Sequence, residues 1–191
     1  MKKLMITACA VALAAVVNAG TFNWGTSSGQ YIYHAGTTTK VKTSELLTAY
    51  LVDANSYSQD ALLKDFLGTG IKTASVLDTG ATSASTAGKI AESYDATPDK
   101  AYSLYMVVVD DDNVFISEAK SFTGPGEGKT TPAQWSTTTA SKAAALEVVA
   151  ATAAWSKSGW YTAAASPTPE PTTGLLMLVG LAGLALKRRH A

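Results

Sequence analysis

Hydrophobic and polar positions divide the chain into two terminal apolar runs and a patterned middle. Residues 4–17 form a largely apolar run behind Lys2 and Lys3, and residues 174–186 form a second one that ends at Lys187, Arg188 and Arg189. Between them the apolar residues come in short, interrupted groups. Residues 101–109 are dense in Tyr, Val, Leu and Met; Asp110, Asp111, Asp112 and Asn113 follow; residues 114–122 then open with Val, Phe and Ile. This order predicts a β-hairpin with a polar tip. Side chains alternate across a strand, so Tyr102, Leu104, Met106 and Val108 share one face while Tyr105, Val107 and Val109 share the other. Both faces are apolar, which places the first strand inside a sheet or sandwich.

Residues 30–34, 49–53, 72–77 and 88–94 are further predicted strands, and residues 36–39, 81–88 and 124–132 read as loops by composition. Two helices interrupt them. Ser58 is placed to cap residues 59–67, with Tyr57 and Leu62 as the flanking apolar staple. Leu62, Leu63, Phe66 and Leu67 fall on one face, and Gly68 or Gly70 can end the helix. Residues 141–154 are Ala-rich with Leu146, Val149 and Ala153 on a stripe, a second predicted helix. Trp155, Trp160 and Tyr161 then form a last extended segment. The expected fold is mainly β: one sandwich-like domain with one or two helices. The run 101–123 is similar in pattern to the late hairpin of fibronectin type III or immunoglobulin-like domains.

The ends read as targeting segments. Lys2 and Lys3, the apolar run and the small residues Val17-Asn18-Ala19 fit a signal peptide over residues 1–19, with cleavage between Ala19 and Gly20 by a signal peptidase. Residues 6–9 loosely fit a lipoprotein box, but most of the apolar core follows Cys9 rather than preceding it. Cys9 is the single cysteine, so a chain beginning at Gly20 has no disulfide, no thiolate metal site and no cysteine nucleophile.

Three parts follow in order over residues 166–191: a proline-rich segment containing Pro169-Glu170-Pro171, the apolar run, and the basic cluster Lys187-Arg188-Arg189. The prolines lack backbone donors and keep their segment extended. As a helix, residues 172–186 would span roughly 22 Å, short of a ~30 Å hydrocarbon core, and the basic side chains can snorkel to cover part of the difference. The cluster favours a cytoplasmic C-terminus, and Gly180 and Gly183 leave a small-residue face for another helix. This tail resembles the PEP-CTERM sorting signal of exported bacterial proteins. The resemblance implies a transient membrane helix, recognition of Pro169, Glu170 and Pro171 by an exosortase-type membrane protease, and a Gram-negative-type cell. It also implies residence in the cell envelope or the extracellular polysaccharide matrix, with a structural or adhesive role and exopolysaccharide as a partner.

The domain expected between the signals, residues 20–165, loses Lys2, Lys3, Lys187, Arg188, Arg189 and Glu170 from the 15 basic and 15 acidic residues of the whole chain. It is Arg-free with a net charge of about −4, which argues against nucleic-acid binding. Candidate chemistry in this body is sparse. Asp78-Thr79-Gly80 resembles the active-site loop of retroviral-type aspartic proteases, where two such loops share a proton between carboxylates, so one copy would require a dimer. A strand end followed by a turn explains the same residues. Asp110, Asp111 and Asp112 offer oxygen ligands for calcium, but adjacent turn residues cannot all converge and the EF-hand spacing is missing. His34 is the one histidine of the body, and neither it nor Ser27-Ser28-Gly29 sits in a nucleophile-elbow motif. Trp160 and Tyr161 read as core aromatics or as a platform for stacking a sugar ring. The expectation is therefore a non-enzymatic exported protein without cofactor or metal, with a carbohydrate-binding module or an aspartic protease as alternatives.

Overall fold

The computed structural model describes residues 19–137, 141, 147–149 and 154–163. In chain order the elements are β1 (Gly20–Thr26), β2 (Thr48–Asp53), α1 (Gln59–Gly68), a 3-10 turn (Thr73–Ser75), β3 (Asp78–Ala81) and β4 (Ala91–Ala96). They continue as β5 (Ala101–Asp110), β6 (Asn113–Ile116), β7 (Lys120–Thr123), β8 (Thr130–Trp135), β9 (Glu147–Val149) and β10 (Gly159–Ala163).

These strands form two sheets. The smaller has the order β4-β1-β8, antiparallel on one side of β1 and parallel on the other. The larger runs β3-β2-β5-β6-β10-β9, with β7 also paired to β5. Apolar residues from both sheets share one core: Phe22 and Trp24 of β1, Leu51 of β2, Leu104, Met106 and Val108 of β5, Phe115 of β6, Trp135 of β8 and Trp160 of β10. The opposite face of the large sheet carries Val52, Tyr105, Val107, Val114, Ile116 and Tyr161, which cluster with Tyr57, Leu62 and Leu63 of the α1 region. The fold is thus mainly β and sandwich-like, with a helix laid over one outer face. The two-faced apolar pattern of β5 follows from this: one set of side chains fills the inter-sheet core and the other meets the helix.

Strand β5 has an edge long enough for two partners. Its first half pairs with β7, from Ala101↔Thr123 to Leu104↔Lys120, and its second half with β6, from Val107↔Ile116 to Asp110↔Asn113. The single return strand expected over residues 114–122 is therefore two strands joined by a bend. Ser117 stitches the bend to β5: its N–H donates to the Met106 carbonyl at 2.9 Å, and its Oγ accepts from the Met106 N–H at 2.8 Å. A hydroxyl replaces a backbone carbonyl in the ladder, so the chain can turn without leaving a buried amide unpaired. At the hairpin tip Asp110 pairs with Asn113, leaving Asp111 and Asp112 as a two-residue loop with Asp111 at φ 50°.

Helix α1 forms as its sequence specifies. The Ser58 side chain accepts from the Ala61 N–H at 3.3 Å, and Tyr57 and Leu62 lie in the same buried cluster. At the other end Thr69 and Gly70, the latter at φ +95°, both donate to the Asp65 carbonyl at 2.7 Å.

Other expectations are corrected. Residues 72–77 are not a strand: Ser75 and Val76 donate back to Lys72 and Thr73, making a short 3-10 turn, and β3 begins only at Asp78. Residues 30–34 contribute a single bridge, Tyr33↔Lys40, because the chain reverses at Gly36 with φ 69°. The strand expected over residues 88–94 shifts to β4, since Gly88 sits at φ +68° with its Cα against the Ile32 backbone. Strands β1 and β8 were not anticipated, and β8 occupies part of a segment that read as loop. Pro132 is tolerated there because β8 is an edge strand. In the segment expected as a second helix, Glu147–Val149 is instead strand β9, parallel to β10, as the β-branched pair Val148-Val149 favours. Most of residues 141–154 lies outside the described residues, as do the expected signal peptide up to residue 18 and the tail from residue 164. Among the described residues no helix is long and apolar enough to cross a membrane.

Candidate functional site

The hairpin tip and the loop between β1 and β2 converge on a cleft of about 570 Å³ lined by His34, Thr37, Thr39, Lys42, Glu45, Leu46 and Asp110, among others. His34 is its centre. The ring places Nδ1 3.2 Å from Asp110 Oδ2 and Nε2 3.1 Å from Glu45 Oε2. Only the doubly protonated imidazole can donate to both carboxylates at once. The Ala35 N–H also donates to Asp110 Oδ2, at 3.0 Å, so the carboxylate ties the loop to the end of β5. Lys42 Nζ reaches Glu45 Oε1 at 3.1 Å. Lys42, and then His34, hold the Glu45 carboxyl below the usual carboxylate range.

Lys42, Glu45, His34 and Asp110 thus form one chain of polar contacts beside the exposed side chain of Leu46. Both ring nitrogens of His34 face carboxylates, so the contacts fix the plane of the ring within the cleft. Asp110 turns toward His34 rather than toward Asp111 and Asp112, and among the described residues no cluster of three or more His, Cys, Asp or Glu side chains is placed to hold a metal ion. Sequence reasoning named His34 and Asp110 separately. Nothing local joined them, because 76 positions separate the two residues.

The Asp78-Thr79-Gly80 segment is strand rather than loop. Asp78 opens β3 opposite Leu51. Its Oδ2 accepts from the Trp24 indole N–H at 2.8 Å and its Oδ1 from the Thr79 N–H at 2.9 Å. Gly80 is small for a packing reason: a Cβ there would lie 2.4 Å from the Glu92 side chain.

Trp160 and Tyr161 are corrected as a sugar platform. They point to opposite faces of β10 and both are buried, at 1% and 0% exposure. Trp160 meets Phe115 edge-on with ring centroids 5.7 Å apart, and Tyr161 lies in the helix-side cluster with its hydroxyl donating to the Lys157 carbonyl. Neither presents a ring face to solvent.

Of the expected processing residues, Ala19 is exposed and Gly20 starts β1, buried with its Cα against the Pro125 carbonyl. Pro169, Glu170, Pro171, Lys187, Arg188 and Arg189 lie outside the described residues. Residues 167–189 match the PEP-CTERM protein-sorting motif. The PEP-CTERM motif marks the chain as an exported protein that is processed at the membrane by an exosortase-type system. It covers the tail and not the folded body. No curated protein and no solved structure matches the chain.

Proposed function

We propose that this chain is a structural or adhesive component of the cell envelope or extracellular matrix, delivered by its sorting tail and active through its folded body rather than through catalysis. The PEP-CTERM motif over residues 167–189 carries the reading, since it directs the body outside the cytoplasm. The body suits that destination. Cys9 is the single cysteine, so its two buried clusters hold together by apolar packing and are indifferent to the redox state of the surroundings.

Exopolysaccharide is the proposed matrix partner, and a signal peptidase acting between Ala19 and Gly20 is the proposed first processing enzyme. Mass spectrometry of the mature protein, recovered from envelope and culture fractions, tests the delivery. The expected product begins at Gly20 and lacks residues 175–191. A mature species retaining those residues refutes cleavage. A glycan array on the same material tests the partner: retention on acidic or neutral polysaccharides supports adhesion, and uniform absence of binding leaves a purely structural role.

A further inference from the structure

Among the described residues strand β3 ends the large sheet, and no described strand lies beside its outer edge. The hydrogen-bond direction along the strand identifies which groups face that side. The Thr82 N–H donates inward to the Leu47 carbonyl of the neighbouring chain segment. Backbone groups alternate sides along a strand, so the N–H groups of Thr79 and Ala81 point away from β2, to the open edge. Unpaired edge donors of this kind are a template for another strand.

Neither donor is open. The Thr79 N–H is held by Asp78 Oδ1 at 2.9 Å, and the Ala81 N–H by Glu92 Oε1 at 3.2 Å. The second contact is made across the sandwich. Glu92 belongs to β4 of the small sheet, and its side chain crosses the face of Gly80 to reach the edge. Any side chain at position 80 would obstruct that path, as a Cβ there would stand 2.4 Å from Glu92 Cγ and 2.8 Å from Oε1. Asp78 is likewise fixed, because its second oxygen accepts from the buried Trp24 indole. Two carboxylates, one local and one from the opposite sheet, therefore occupy both outward donors of this edge strand.

We infer that Asp78 and Glu92 keep the β3 edge closed against strand addition by a second copy of this chain. The partner is a copy of the same chain because β3 is short, extended and free of charge from Thr79 to Ala81. Two such edges can meet antiparallel about Gly80, with Thr79 of each opposite Ala81 of the other. An open edge would template pairing of this kind between two molecules. The carboxylates also add charge that such a pairing would bury.

The test uses the exported protein with three changes: Glu92→Ala, Glu92→Gln, and Glu92→Ala combined with Thr79→Pro. Mass is followed by sedimentation over a wide concentration range, with amide exchange at Ala81 in parallel. Glu92→Ala is expected to associate, doubling the weight-average mass, while Glu92→Gln keeps an acceptor for Ala81 and behaves as wild type. Thr79→Pro removes an outward donor without touching the β2 ladder, and is expected to return Glu92→Ala to wild-type mass. A Glu92→Ala protein with wild-type mass throughout and faster Ala81 exchange overturns the inference. So does association that Thr79→Pro leaves unchanged, which would place the contact on another surface.

Discussion

The indole N–H of Trp24 donates to the carboxylate of Asp78 at 2.8 Å, joining β1 of the small sheet to β3 of the large one. Trp24 is 1% exposed, so water cannot replace that acceptor. Asp78→Ala is expected to cost about 1–3 kcal/mol in urea unfolding, the penalty of a buried donor left alone. Asp78→Asn retains an oxygen acceptor and should lose less. Peptide cleavage at acidic pH is expected to be absent from wild type and both variants; activity that Asp78→Asn abolishes would restore the protease alternative.

Gly25 sits at φ +138°, and a Cβ there would lie 2.2 Å from the Ile90 carbonyl oxygen. The strand register sets Gly25 beside Ala91, so neither strand can withdraw without losing ladder bonds. Gly25→Ala is expected to destabilise by roughly 2–3 kcal/mol through backbone strain and displacement. Equilibrium denaturation, with circular dichroism to confirm retained strand content, measures it. A neutral outcome would mean that β1 and β4 can separate at no cost.

Tyr57 and Asp65 form one pH-sensitive pair, the hydroxyl donating to Oδ2 at 2.8 Å, with Lys72 3.0 Å from the same oxygen. Lys72, then Tyr57, hold the Asp65 carboxyl below its ordinary 3.8. A lowered carboxyl contributes stability that is complete above that ordinary value and fades as pH falls through the lowered one. Burial, reinforced by the Asp65 carboxylate, pushes Tyr57 up from 10.0 to about 12. A raised phenol contributes stability that is complete below pH 10 and is lost as pH rises toward 12. Melting temperature followed over both ranges is expected to fall at each end. Tyr57→Phe should flatten the alkaline limb, and Asp65→Asn the acid limb.

Leu62 is fully buried where α1 meets the large sheet. Leu62→Ala should cost about 2–5 kcal/mol, whereas Leu67→Ala, on the half-buried side of the same helix, should cost less. Equal losses would mean that α1 is not anchored through its inner face.

Trp160→Ala separates packing from recognition. A ring buried against Phe115 predicts a loss of about 3–5 kcal/mol in thermal or urea unfolding. A Trp160→Ala protein of wild-type stability that has lost glycan retention would return the residue to a binding role.

The two faces of β5, the cap and stop of α1, and the sorting tail were all legible in the chain itself. Each rests on neighbours a few positions apart: alternation along one strand, Ser58 against Ala61, and proline, apolar and basic segments in fixed order. Tertiary structure decided what distant residues do together. It divided residues 114–122 into two strands because Met106 needed a partner at the bend, which Ser117 supplies. It made a strand of residues 147–149, whose helical stripe gave way to the open edge of β10. It also set His34 between Asp110 and Glu45, and Glu92 over Gly80. Such meetings depend on sheet order and register, which are fixed by burial of both apolar clusters at once, and no local spacing encodes them.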